Sequence, residues 1–245
     1  MGFLLTSGEL FTGKRISAGS LICQERLAGK IDDVATERQI DEVWELSLHG
    51  NHLALDFVNT VDWRLRDPVE LLVDYEALLH WGLRLGVITD EGEFDTLLSA
   101  ARSHPRSAQK AHHRALELRE TVYRIYAALA ARQSPRQGDL DALNKSFAEA
   151  VAHAALTPSV DGFRWSWVGT DPWHRVARPV ATTAVELLSR GQLDRVKQCR
   201  DEGCGWIFFD RSSNVSRRWC SMQGCGSRAK MRSQYRRKKA ERRAR

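Results

Sequence analysis

The chain has 245 residues, enough for one or two domains with at least one buried core, and with 42% hydrophobic and 28% charged residues a soluble globular protein is the default. Its net charge of +6 divides unevenly: residues 211 to 245 hold 13 Lys and Arg against one acid, Glu241, while the rest carries 24 basic and 30 acidic residues, which confines any polyanion contact to the C-terminal end. No apolar run approaches the roughly 20 residues of a membrane helix and no signal peptide is legible, so a membrane protein is excluded and the cytoplasm is expected.

Residues 1–46 read as a poorly ordered N-terminal extension, because Gly, Ser and Lys interrupt short apolar groups without a sustained period. Residues 47–192 read as a mainly helical body with minor strands. In PVELLVDYEALLHWGLRLG, residues 68–86, Pro68 suits a first helical turn, Leu71, Leu72, Tyr75, Leu78, Leu79 and Leu83 form an apolar stripe, and Gly86 suits the stop. Thr89 or Asp90 can cap a second helix to about 101. A long helix is expected over 106–132 from the recurrence of Leu118, Val122, Ile125 and Leu129, and Asp139 can cap another to 153. GFRWSWVG, residues 162–169, alternates as a strand does after the turn residues of TPSVDG, and a last body helix is expected over 171–189 with Gly191 behind it.

ALDFVNTVDWR, residues 54–64, sets Asp56 and Asn59 among apolar neighbours and close to Trp63 and Arg64. These four residues could line an effector pocket, or the Asp and Asn could satisfy nearby backbone groups. His49 with His52, and His112 with His113, lack a third ligand or a nucleophile and read as ordinary histidines. Trp165, Trp167 and Trp173 are candidates for a seam between body and C-terminal region. No catalytic constellation and no phosphate-loop glycine pattern is visible, so an enzyme is not expected.

Residues 193–245 carry the strongest signal. CRDEGCGW and CSMQGCGS repeat Cys, three variable residues, Gly, Cys, Gly. Cys199, Cys204, Cys220 and Cys225 thus form two pairs, with four residues inside each and fifteen between them. Two short loops on a longer connection supply four tetrahedral thiolates without strain, so one structural zinc ion per chain is expected; buried free thiols and two disulfides are the alternatives. Gly203 and Gly224 suit a positive-φ turn toward sulfur, Gly205 and Gly226 a close backbone approach. Cys23 stands outside the pattern as an incidental thiol. WIFFD reads as one arm of a zinc-clipped β-hairpin and RRWC as the other, after which Ser227 can cap a basic helix over 228–243.

On that helix Arg228, Arg232, Tyr235, Arg236 and Lys239 recur at three- and four-residue steps without visible acidic partners. Like charges so spaced repel, so a polyanion is the natural counter-charge, with an acidic protein or membrane surface and a merely solvated tail as rivals. Lys230, Arg237 and Lys238 belong to the same run, and Arg217 and Arg218 extend it.

The pattern C-x4-C-x-x-x-F-x-D, then RRWCSM, then C-G-x-R-x-K resembles the CGNR zinc-finger family, and HGNH followed by LALDFVNT resembles the ABATE domain that precedes such fingers in bacterial proteins. The resemblance covers about residues 47–240. It implies a stress-induced transcription regulator, nucleoid-associated, whose finger binds duplex DNA and whose body senses a signal such as a small-molecule effector; a homodimer fits this reading. It implies Cys199, Cys204, Cys220 and Cys225 as ligands and places the family motif on Cys225, Gly226, Ser227 and Arg228, with Ser227 where relatives have Asn. The rival reading is an RNA-binding or ribosome-associated zinc protein.

Overall fold

A computed structural model describes Val43, Leu46 and residues 48–243 other than 161, 168–170 and 172; the rest of the N-terminal extension, with Cys23, lies outside the described residues. The architecture is mostly helical with small two-stranded hairpins, and it ends in a four-cysteine cluster followed by a basic helix. At its centre lies α1, Leu53–Val58, every residue of which is buried. The core around it holds Trp81, Tyr126 and Phe57 as its largest fully buried side chains, with the Phe57 and Trp81 rings tilted at 5.0 Å and the Tyr126 hydroxyl donating to Ala184 O at 2.6 Å.

The expected helix over 68–86 is shorter than its apolar stripe. Val69–Glu70 forms strand β2, paired antiparallel with β1, Val61–Asp62, and helix α2 runs only over Tyr75–Arg84. Two polar groups override the helical period. The Glu70 carboxylate accepts from the Leu72 amide at 2.9 Å and from the buried Arg119 guanidinium at 2.6 and 2.5 Å, and the Asp74 carboxylate caps the helix by accepting from the Ala77 amide at 2.8 Å. Helix α3, Glu91–Ser103, is capped by Asp90 as expected, and α4, Pro105–Ala130, is the long helix. Helix α5, Gln137–Val151, begins ahead of Asp139, which is no cap: its carboxylate accepts from Arg124 at 2.8 Å.

Strand β4, Gly162–Trp167, pairs in register with β3, Ala154–Ser159, so Thr157, Pro158 and Ser159 are strand rather than turn. Trp165 on β4 is 62% exposed and Trp173 packs edge-on against Tyr75 at 5.8 Å, so the expected tryptophan seam is not there. Helix α6, Ala177–Ser189, closes the body. Among the described residues no helix is long and apolar enough to cross a membrane.

A single turn of 3-10 helix, Leu193–Arg195, leads into β5, Val196–Gln198, which pairs antiparallel with β6, Ile207–Phe209. The hairpin therefore brackets the first cysteine pair, and the expected second arm, RRWC, is not a strand. The outer edge of β6 is claimed by the body instead. Asn59 works as a two-sided strand mimic: its Oδ1 accepts from the Ile207 amide and its Nδ2 donates to the Ile207 carbonyl, both at 2.9 Å. Beside it the Phe209 amide donates to Gly50 O at 2.9 Å and Asn51 Nδ2 donates to Phe209 O at 3.1 Å. With that edge occupied, Ile207 and Phe208 are fully buried and continuous with the body core.

Asn59→Ala strips both partners from the Ile207 backbone in a dry site, and the expected cost is about 2–4 kcal/mol. Urea denaturation followed by far-ultraviolet circular dichroism checks this, and a loss below about 0.5 kcal/mol would mean the edge does not depend on Asn59.

Candidate metal centre and basic helix

The cysteine loops are shaped by backbone bonds at their necks. Cys199 N donates to Trp206 O at 2.8 Å and Cys204 N to Asp201 O at 3.1 Å, closing the first loop; Gly226 N donates to Ser221 O at 2.9 Å, closing the second. All four cysteines are free and buried, and their Sγ atoms lie within 4.8 Å of one another, with Cys204–Cys220 at 3.7 Å and Cys220–Cys225 at 3.4 Å. Four sulfurs about 2.3 Å from a tetrahedral zinc stand about 3.8 Å apart, so the donor set fits that ion and does not fit two disulfides. The Cys220 amide also points at Cys199 Sγ at 3.4 Å.

Electrostatics support the same occupant. Cys204 and Cys220 are pushed far up by the neighbouring thiols and by burial, while Cys199 is pushed down because the other thiols donate to it. A divalent cation would allow all four to ionise together, as four-cysteine zinc sites require.

The close approach expected at Gly205 and Gly226 is there, a Cβ at Gly205 meeting Leu65 Cγ at 2.8 Å and one at Gly226 meeting Met222 Sδ at 3.0 Å, but the positive φ is not where it was expected. Gly205 takes the positive φ, +73°, rather than Gly203 or Gly224, and Gly203 supplies a close approach: a Cβ there would meet the Trp63 ring at 2.8 Å. The chain after β1 presses on this loop, with Arg64 N donating to Cys204 O at 3.1 Å and Leu65 N to Gly203 O at 3.2 Å. Trp206 Nε1 returns a bond to Val61 O at 3.0 Å. The seam between body and finger is thus Trp63, Trp206 and Asn59.

The four body residues singled out from sequence all sit at or beside this seam. Asp56 accepts from the Gly50 amide at 2.8 Å and so holds the loop that grips β6. Arg64 donates to Glu120 Oε2 at 2.6 Å and lies 4.1 Å over the Tyr123 ring. His112 bonds Leu72 O at 2.7 Å, and burial together with Arg190 and Arg211 pushes His52 down to about 4.

Helix α7, Ser227–Arg243, follows a π-helical turn, Met222–Gly226. The cap is Ser221, whose hydroxyl accepts from Gly224 N at 3.2 Å; Ser227 is already inside the helix, exposed, and donates to Met222 O at 3.0 Å. The basic residues divide into two sets. Arg228 donates to Cys225 Sγ at 2.9 Å and to Asp201 at 3.0 Å and stacks 4.6 Å from the Trp63 ring; Arg232 reaches the same Asp201 at 2.8 Å, and Arg236 reaches Glu202 at 3.3 Å. The acidic partners that periodicity alone did not show are therefore Asp201 and Glu202, inside the first cysteine loop. Burial would raise Asp201, but the two arginines outweigh it and hold its carboxyl below the usual range.

Arg217 is also engaged, donating to Trp219 O at 3.0 Å and His49 O at 3.1 Å and to Cys220 O, with its guanidinium 4.3 Å over Phe208. Arg218 lies 5.1 Å over Trp219. Asp210 is a further organiser that the sequence reading passed over: fully buried, it accepts from Lys197 Nζ at 2.7 Å, Ser212 N at 2.9 Å and Arg217 N at 2.9 Å, bonds that overcome burial and hold it well below the carboxylate range. Its signal was present as the F-x-D of the motif. Among the described residues Lys230, Lys238, Lys239, Arg242 and Arg243 have no ion pair. Arg237 has only Glu241, at 3.7 Å.

A family model named ABATE, described as "Putative stress-induced transcription regulator", matches residues 51–191, and a model of the CGNR zinc finger matches residues 195–238. The description names a regulator of transcription and not an enzyme. No curated protein matches the chain.

Protein purified without added metal is expected to contain one zinc per chain by atomic absorption, and Cys220→Ser to lose it together with the order of residues 199–243; a metal-free finger that stays folded would contradict the assignment. A second expectation concerns Asp56, which burial raises to about 6. A carboxyl raised in the fold costs nothing below its unfolded pKa of about 4, and the cost grows from there as pH rises through its folded pKa, where it levels off. Asp56→Asn should therefore gain on the parent chain by about 1–1.5 kcal/mol between about pH 5 and 7.5 in urea denaturation, whereas a pH-independent difference would mean Asp56 titrates normally.

Proposed function

We propose that this chain, which belongs to the ABATE family and carries a CGNR zinc finger behind its ABATE domain, regulates transcription by laying helix α7 on duplex DNA in the cytoplasm. The observation that carries this reading is the division of the basic residues. Arg228, Arg232 and Arg236 anchor the helix to the first cysteine loop, so the remaining cations project from a fixed scaffold. Helical spacing places Ser227, Met231, Gln234, Tyr235, Lys238 and Arg242 along one exposed stripe, with Met231 at 60% and Tyr235 at 68% exposure. An exposed Met and Tyr between cations suit a groove floor, where thymine methyls and base edges lie between two phosphate rails.

In this reading Lys230, Arg237, Lys238, Lys239, Arg242 and Arg243, with Arg218 nearby, neutralise phosphates and supply affinity, while Ser227, Met231 and Gln234 read bases. Ser227 discriminates less than an Asn would, and Gln234 is the side chain suited to adenine. The helical body serves as the sensing module. Whatever shifts α1 or the turn after it acts directly on β6 and the first cysteine loop through Asn59 and Trp63, so the route from body to DNA helix is short. A homodimer would place two such helices on one symmetric site.

If about six phosphates are contacted, log affinity should fall against log salt with a slope near −5. Fluorescence anisotropy on a duplex selected from a random pool checks this, with Lys238→Ala expected to reduce the slope by about one unit and to weaken all duplexes alike. A flat salt response, or structured RNA displacing the duplex at equal concentration, would overturn the assignment.

A further inference from the structure

Between α4, α5 and α6, on the body and away from the seam, lies a cleft of about 440 Å³ lined by Arg114, Leu118, Thr121, Ala150, His174, Arg178 and their neighbours. Its volume falls within the range of small-molecule sites. The cleft exists because α5 and α6 present alanines to it: Ala142 and Ala150 on one helix, Ala177 and Ala181 on the other, leave room where longer side chains would close the gap. With Leu118 they give it an apolar floor, and Leu118, Ala150 and Ala181 are all buried.

One charged group stands on that floor. Arg178 is 6% exposed, yet among the described residues its guanidinium makes one hydrogen bond, a long one to Asp171 O at 3.4 Å, and its nearest carboxylate oxygen, on Asp171, is 3.7 Å away. A buried guanidinium with five donors and so little acceptance is under-satisfied. Asp171 is itself occupied, its Oδ2 bonded to His174 Nδ1 at 2.8 Å, and His174 Nε2 faces Arg114 at 3.4 Å. Helix α6 begins at this place with no side-chain cap and no acid in its first turn, so its positive end adds to the two arginines.

The geometry points to a binding site for a small organic carboxylate with a short apolar body: its carboxylate accepts from Arg178 and Arg114, and its body lies over Leu118, Ala150 and Ala181. Lys145 and Glu149 at the rim are exposed and leave the mouth polar. The site rests on reading the body as a sensing module only for its purpose, not for its chemistry. A route to the finger is built into α4, which turns Leu118 and Thr121 to the cleft while Glu120 and Tyr123, on its opposite face, hold Arg64 and the side chain of Gln198, the last residue of β5.

Isothermal titration of the full zinc-loaded chain with benzoate, and with its neutral isostere benzamide, tests the site. Benzoate is expected to saturate with a Kd of about 1 mM or lower and benzamide to bind at least about tenfold more weakly. Arg178→Gln is expected to abolish the preference, and the exposed Arg114→Ala, which threatens the fold less, to weaken benzoate severalfold. Absence of saturable benzoate binding, equal binding of benzamide, or undiminished benzoate binding by both variants would overturn the proposal. Benzoate binding that leaves duplex affinity unchanged supports the carboxylate site and counts separately against the coupling to DNA.

Discussion

Four thiols enclosed together cannot all ionise without a divalent cation, and the C-terminal fifth of the chain is organised around that condition. The hairpin of β5 and β6 brackets one cysteine loop, the π-helical turn forms the other, and α7 leaves directly from the last ligand. Even the acids of this region are tied to it. Asp201 sits between the first pair of ligands and receives two arginines from α7, while Asp210 closes the connection between the pairs.

The finger is not an independent bead on a string. Its hairpin presents an edge that the body covers with Asn59, Gly50 and Asn51, and its first cysteine loop is seated on Trp63 with a glycine where any side chain would collide. Burial of Trp206, Ile207 and Phe208 at this joint supplies apolar area that a segment of this size and charge could not assemble alone. A metal in the cluster and this joint would therefore stabilise one another and together set the direction of α7 relative to the body.

Legibility in the sequence followed the range of the interactions. The four ligands were readable because a repeated spacing is local, and the long helix because its period runs over many turns. What misled were single polar residues acting at a distance. Glu70, held by Arg119 49 residues away, keeps the start of an otherwise convincing helix in a strand, and Asp74 delays the helix by capping it at Ala77. Asp201 and Glu202 neutralise arginines that stand 27 to 34 residues later, so a face that looked unpaired is largely an anchoring face. Asn59, weighed between pocket and backbone partner, satisfies backbone, but on a strand 148 residues on, which no local pattern could reveal. The true partner of WIFFD lay before the first cysteine, where Val196–Gln198 is too short to show alternation.

The central claim is that a metal-held finger, fixed to the body, presents α7 to DNA. Its most direct test is duplex affinity measured on one sample of the full chain as purified, after chelation, and after zinc is restored. The account requires affinity to fall on chelation and to return with zinc in proportion to metal bound. Equal affinity of the metal-free chain would mean that the basic tail binds as an unstructured polycation, and the anchoring of α7 by the zinc centre would have no part in function.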